Sequence, residues 1–191
     1  MSLRETRTDS RDESLVRQLL GRRPKISYHI ICRCPDGCPQ VLETPPLVWE
    51  NNRWVPFPTI YWLTCPRLKL EISRLEQAGW IKSLAERVKN QTAAWQEYQD
   101  AQEAVALRRV QAAKTLLGQD PEPGVIDILT RTTIAGSHHI AGIKCLHAHV
   151  AHFLASGDNP IGRWALDAAG ACRPELPCLS LLKTELQEET P

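Results

Sequence analysis

The first patterned stretch is DESLVRQLLGRR (12–23), which reads as a short amphipathic helix. Asp12 or Ser14 can cap such a helix, and Gly21 stops it. Next come the β-branched and aromatic run KISYHIICRC and the alternating PQVLETP. PLVWENNRWVPF places two short apolar runs around Asn51-Asn52, which reads as a hairpin. PTIYWLTCP is continuously apolar and predicts a central strand buried on both faces. Residues 26–65 are thus expected to form one small antiparallel sheet.

After Cys65 the period changes from two to three and four. Pro66 opens a helix, and Leu68, Ile72 and Leu75 follow until Gly79. A 4-3 rhythm runs from Leu84 through Val88, Trp95, Tyr98, Gln102, Val105 and Arg109 to Leu116. Its polar interruptions predict a partly exposed arm, either a long helix or a helical hairpin over 81–117 that bends near Asn90. GQDPEPG (118–124) is linker-like. Helices are predicted at 125–131, 137–155, 161–169 and 176–188. In SGDNPIG, Gly157 ends one helix and Asp158 or Asn159 with Pro160 starts the next, which is capping and not a site. The expected fold class is α+β, with a helix and tail at 1–25 and a single domain over 26–191.

Composition alters this picture little. The chain has 191 residues with 42% hydrophobic and 24% charged content, enough for one sizeable core. Its formal net charge is +1, with no basic aromatic patch, so neither nucleic acid nor an anionic surface is the expected partner. Both termini read as solvated, basic at the start and acidic at the end. No apolar run approaches the ~20 residues that span a bilayer, and the charged N-terminus lacks the apolar core of a secretory signal. A cytoplasmic location is therefore expected. The seven cysteines are an odd number, so they cannot all pair, and a reducing compartment leaves them as thiols.

Where those thiols stand suggests chemistry. KCLHAHVAH places Cys145, His147, His149 and His152 within a short stretch. On a continuous helix Cys145 and His149 are one turn apart and can chelate one metal ion, with His152 on the same face. The bland alternative is surface histidines beside a packed cysteine. Upstream, CRCPDGCP carries Cys32, Cys34 and Cys38 at a turn, and Cys65 precedes Pro66 at a helix start, where backbone amides lower a thiol's pKa. Cys172 and Cys178 come late in the chain. No phosphate-binding glycine loop and no H-E-x-x-H is present, which removes support for nucleotide hydrolysis and metalloprotease chemistry.

RCPDGCPQVLETPP, PFPTIYWLTCPRL, EISRLEQAGWI and GIKCLHAHVAHFLASGDNPIG, with a late PC, together resemble the bacterial domain of unknown function 501. The likeness spans roughly residues 28–82 and 137–178. That family has no established activity. The resemblance implies that Cys34, Cys65, Cys145 and Cys178, with His147, are the residues that matter; Cys38 departs from the pattern. Four thiols from four segments meeting on folding would bind zinc or an iron–sulfur cluster, in a structural or redox role. Two other readings stand beside this one. Cys145 or Cys65 can act as the nucleophile of a thiol enzyme with a nearby histidine as base. Alternatively, the chain is a non-enzymatic module that docks a protein partner through helix 81–117.

Overall fold

A computed structural model describes residues 10–138, 142–170 and 178. Helix α1 (Ser10–Leu20) leads into strands β1 (His29–Arg33), β2 (Pro39–Glu43), β3 (Leu47–Glu50), β4 (Arg53–Pro56) and β5 (Tyr61–Leu63). Helices α2 (Pro66–Gln77), α3 (Trp80–Asn90), α4 (Thr92–Leu117), α5 (Pro123–Arg131), α6 (Leu146–Ser156) and α7 (Pro160–Ala169) follow. The architecture is α+β: a small antiparallel region, then a mainly helical one containing the long α4. No described helix is long and apolar enough to cross a membrane.

The strands form two sheets rather than the expected one: β1-β2-β5, and the β3–β4 hairpin by itself. Asn51 and Asn52 turn that hairpin with φ of 50° and 60°, the left-handed pair that a tight two-residue turn requires. The strand expected at the centre, β5, lies at an edge. It has only three residues, and its middle one, Trp62, faces out. The centre belongs to β2, whose Val41 and Leu42 are both buried.

One core joins sheet to helices. Val41 and Leu63 of the sheet pack with Leu68 and Ile72 of α2, Tyr98 and Val105 of α4, Leu146 and Val150 of α6, and Ile161 of α7. Each such aliphatic side chain contributes about 1.5–3 kcal/mol when fully buried. The seam predicted for 81–117 is here, so it is an inner face and not an exposed arm. Leu84, Val88, Tyr98, Gln102, Val105 and Arg109 are all buried, and the chain breaks at Gln91, close to the predicted bend. Apolar burial on both sides outweighs the polar interruptions.

Helix α1 is no solvated tail. Val16 packs against Ile30 and Leu42 of the sheet, and Asp12 reaches Arg33 at 2.6 Å. The helix predicted over 176–188 lies outside the described residues apart from Cys178, as does Cys172.

Candidate metal centre

The predicted 137–155 helix is the expectation that fails most usefully. Residues 137, 138 and 142–145 are not helical, and α6 starts at Leu146 with Cys145 extended at its N-cap (φ −150°). The chelating pair Cys145/His149 assumed one continuous helix. Cys145, extended, lies outside the helix that carries His149, and His149 is buried, with Asn159 Nδ2 at 3.1 Å from its Nδ1 and the Tyr98 ring at 5.9 Å. His152 is buried too, against the ring of Tyr61.

What stays with Cys145 is His147, and a third residue joins them from α2. Glu76, in the last turns of α2, accepts the Leu146 backbone N–H through Oε1 at 2.6 Å. A carboxylate there satisfies an orphan donor at the helix start and complements the dipole. The same oxygen lies 3.2 Å from His147 Nδ1, and Cys145 Sγ lies 3.7 Å from that nitrogen. The far nitrogen of the ring, Nε2, faces the Lys69 carbonyl at 3.1 Å and Ser73 Oγ at 3.3 Å. A carbonyl only accepts, so Nε2 carries the proton and Nδ1 turns toward sulfur and carboxylate. The Cys145 sulfur foremost, then the Lys69 carbonyl and Glu76, raise the His147 pKa to about 9 against the opposing cost of partial burial.

Glu76, Cys145 and His147 are the one group of three metal-capable donors, among the described residues, whose ligating atoms all lie within 4.8 Å of one another. All three residues are partly exposed. The other predicted ligands lie elsewhere. Cys34 and Cys178 pack with Leu19 and Cys38 in a separate small cluster, in which Cys38 Sγ approaches the Cys178 carbonyl at 3.6 Å. Burial first, then Cys178 and Cys34, push the Cys38 thiol well above its usual range. The residue that departs from the family pattern is therefore central to this cluster. Cys65 is buried in the main core at the β5–α2 junction, extended by the following proline. Lys69 stands one turn on and joins the two neighbourhoods. Its carbonyl meets His147, and its ammonium lies 3.4 Å from the Leu19 carbonyl.

Cys145 and His147 were both legible in the sequence. Glu76 was not, because nothing near EISRLEQAGW indicates that it caps a helix seventy positions later. Asp158, read from the sequence as a capping candidate, is exposed beside the α6 C-cap, and the α7 cap is Asn159.

A family model described as "Protein of unknown function (DUF501)" matches residues 30–167. The chain belongs to this family. In this DUF501 member the matched stretch runs from β1 into α7 and contains Glu76, Cys145 and His147, whereas Cys178 falls beyond it. No curated protein and no solved structure matches the chain.

Proposed function

We propose that this protein binds a transition-metal ion, zinc by preference, through Cys145 Sγ, His147 Nδ1 and Glu76 Oε1, leaving one coordination position open. The observation that supports this is the convergence of three electron-pair donors on one point. A lone pair, a carboxylate and a sulfur cannot face one another without something positive between them. In the metal-free protein that is a proton on Nδ1, and a metal ion would displace it. The Lys69 carbonyl supplies the outer partner that orients a ligating imidazole. A mixed S, N, O set with a single thiolate favours zinc over an iron–sulfur cluster, whose irons want four cysteines. Three protein ligands with access to solvent leave room for a bound water that the metal would acidify, the arrangement of a catalytic zinc site. A reducing compartment such as the cytoplasm would keep Cys145 ready to ligate.

Protein purified without chelators is expected to hold one zinc per chain at this site, and cobalt substitution should give the near-ultraviolet band of a thiolate–metal bond. Cys145→Ser and His147→Ala should each weaken binding by 100-fold or more, and Glu76→Gln by about 10-fold. Protein that takes up neither metal sinks the reading. The specific rival is a thiol nucleophile, favoured by Cys145 standing at a helix start with His147 beside it. It predicts metal-free protein in which Cys145 alone alkylates rapidly with iodoacetamide near neutral pH.

A further inference from the structure

Outside the candidate metal centre, none of whose three residues lines it, the fold leaves open a cavity of about 540 Å³ between the segment after α1, the β3–β4 hairpin and strands β2 and β5. That volume suits a ligand of nucleotide size. Three of the six tryptophans in the chain line it. Trp49 is 59% exposed and Trp62 is 38% exposed. Large apolar rings left at one opening mark a recognition surface more often than a structural one.

These walls are held in place. Trp49 and Trp54 are direct cross-strand partners, with ring centroids 5.3 Å apart at 70°. Trp62 stacks parallel on Phe57 at 5.8 Å and 6°. The Trp62 indole N–H donates to the Thr59 carbonyl at 2.8 Å, which locks the ring and leaves only its π face to offer. Two cations, Arg22 and Lys25, stand at the rim, and neither makes an ion pair among the described residues. The single carboxylate in the lining is Glu50. The rim thus carries a surplus of one positive charge over planar aromatic walls.

We propose that this cavity binds a small planar anion, a heteroaromatic ring bearing a phosphate or carboxylate, with the ring against Trp62 and Trp49 and the charge at Arg22 and Lys25. Stacking on a fixed indole selects flat rings. A proline-rich peptide is the poorer fit, because such grooves also donate hydrogen bonds to peptide carbonyls and the Trp62 N–H is already taken. This inference is independent of the metal centre and survives its failure.

Isothermal titration of the full chain with adenosine 5′-monophosphate and flavin mononucleotide tests it, with adenosine and ribose 5-phosphate as the ring-only and charge-only controls. Saturable binding of at least one of the two nucleotides is expected, each control being at least 10-fold weaker. Trp49→Leu, at a site exposed enough to leave the fold intact, and Trp62→Leu should each weaken nucleotide binding about 10-fold. Arg22→Ala with Lys25→Ala should remove its salt dependence. Saturation by neither nucleotide, or binding unchanged in the tryptophan variants, overturns the proposal. So does tighter binding of a polyproline peptide than of either nucleotide.

Discussion

Gly162 is where two helices come closest. It lies in the first turn of α7, and a Cβ placed there would meet the His149 backbone carbonyl and lie 2.7 Å from Phe153 Cβ. Asn159 brings the turn this near: its side chain caps α7 by accepting the Gly162 N–H at 3.0 Å while its amide serves His149. Gly162→Ala therefore forces backbone against backbone, with no flexible side chain to yield. A loss of about 3 kcal/mol is expected, read as a lower urea midpoint at unchanged slope. A midpoint shift worth under about 0.5 kcal/mol would show that α6 and α7 can separate freely. The glycine and the capping motif are visible in SGDNPIG, but the close approach is not, because it depends on a helix axis that no local pattern encodes. The candidate site has the same limit. Cys145 and His147 stand out by residue type, whereas Glu76 is one glutamate among many until α2 and α6 are packed.

Helix α5 buries little of its apolar surface, with Leu129 its one buried residue. What anchors it is Arg109 on α4, fully buried, whose guanidinium donates to the carbonyls of Leu129 and Thr133 at 3.3 and 3.2 Å and also to that of Thr132. These carbonyls lie where α5 ends, so the cation also meets the negative end of the helix dipole. Desolvation lowers the Arg109 pKa to about 10, and it stays charged at neutral pH. Arg109→Leu should cost about 3–5 kcal/mol by leaving these acceptors buried and unpaired. Amide exchange should rise first in residues 123–134. Exchange that rises evenly over the whole chain would argue against a local anchor. At this scale the sequence was readable where period and punctuation agree: α2 begins at Pro66, the hairpin turns at Asn51-Asn52, and α4 ends at Gly118. It misled where a polar residue stood in an apolar rhythm. Arg109 and Gln102 read as signs of exposure, yet both are inside. Gln102 Oε1 accepts the Ile134 N–H at 2.9 Å, a partner thirty-two residues away. The helix expected from 137 failed for a related reason. Its apolar-polar rhythm continues upstream of Leu146, but the chain is extended at Cys145, where the Leu146 amide takes Glu76 in place of a helical partner.

For the molecule as a whole, two neutral histidines in the core set how it meets acid. Burial, then the charges of His149 and Arg109, lowers the His152 pKa to about 3. Burial lowers that of His149 to about 4, partly opposed by Asn159. The groups facing His152 offer an imidazolium no counter-charge: Tyr61 from β5, the Arg109 cation from α4, and His149 on its own helix. Ser156 Oγ stands 3.1 Å from its Nδ1, and that hydroxyl already donates to the His152 carbonyl, so Nδ1–H is the donor. An unfolded imidazole titrates near 6.5 and the folded one far below, so below that value the unfolded chain holds protons the folded chain refuses. The contribution of these two rings is therefore complete above pH 6.5 and is lost as the pH drops toward their folded values, by up to about 1.4 kcal/mol per unit for each ring, whereas that of His147, whose folded pKa is raised, is complete below 6.5 and is lost as the pH rises toward 9. Urea midpoints at pH 7.5, 6.5, 5.75 and 5.0 keep clear of most carboxylate titration. They should fall steadily below 6.5, and His152→Gln, although less stable at pH 7.5, should show about half the slope. A variant slope equal to that of the parent would mean that His152 finds a proton acceptor on folding, and that the core between β5, α4 and α6 is wetter than its packing implies.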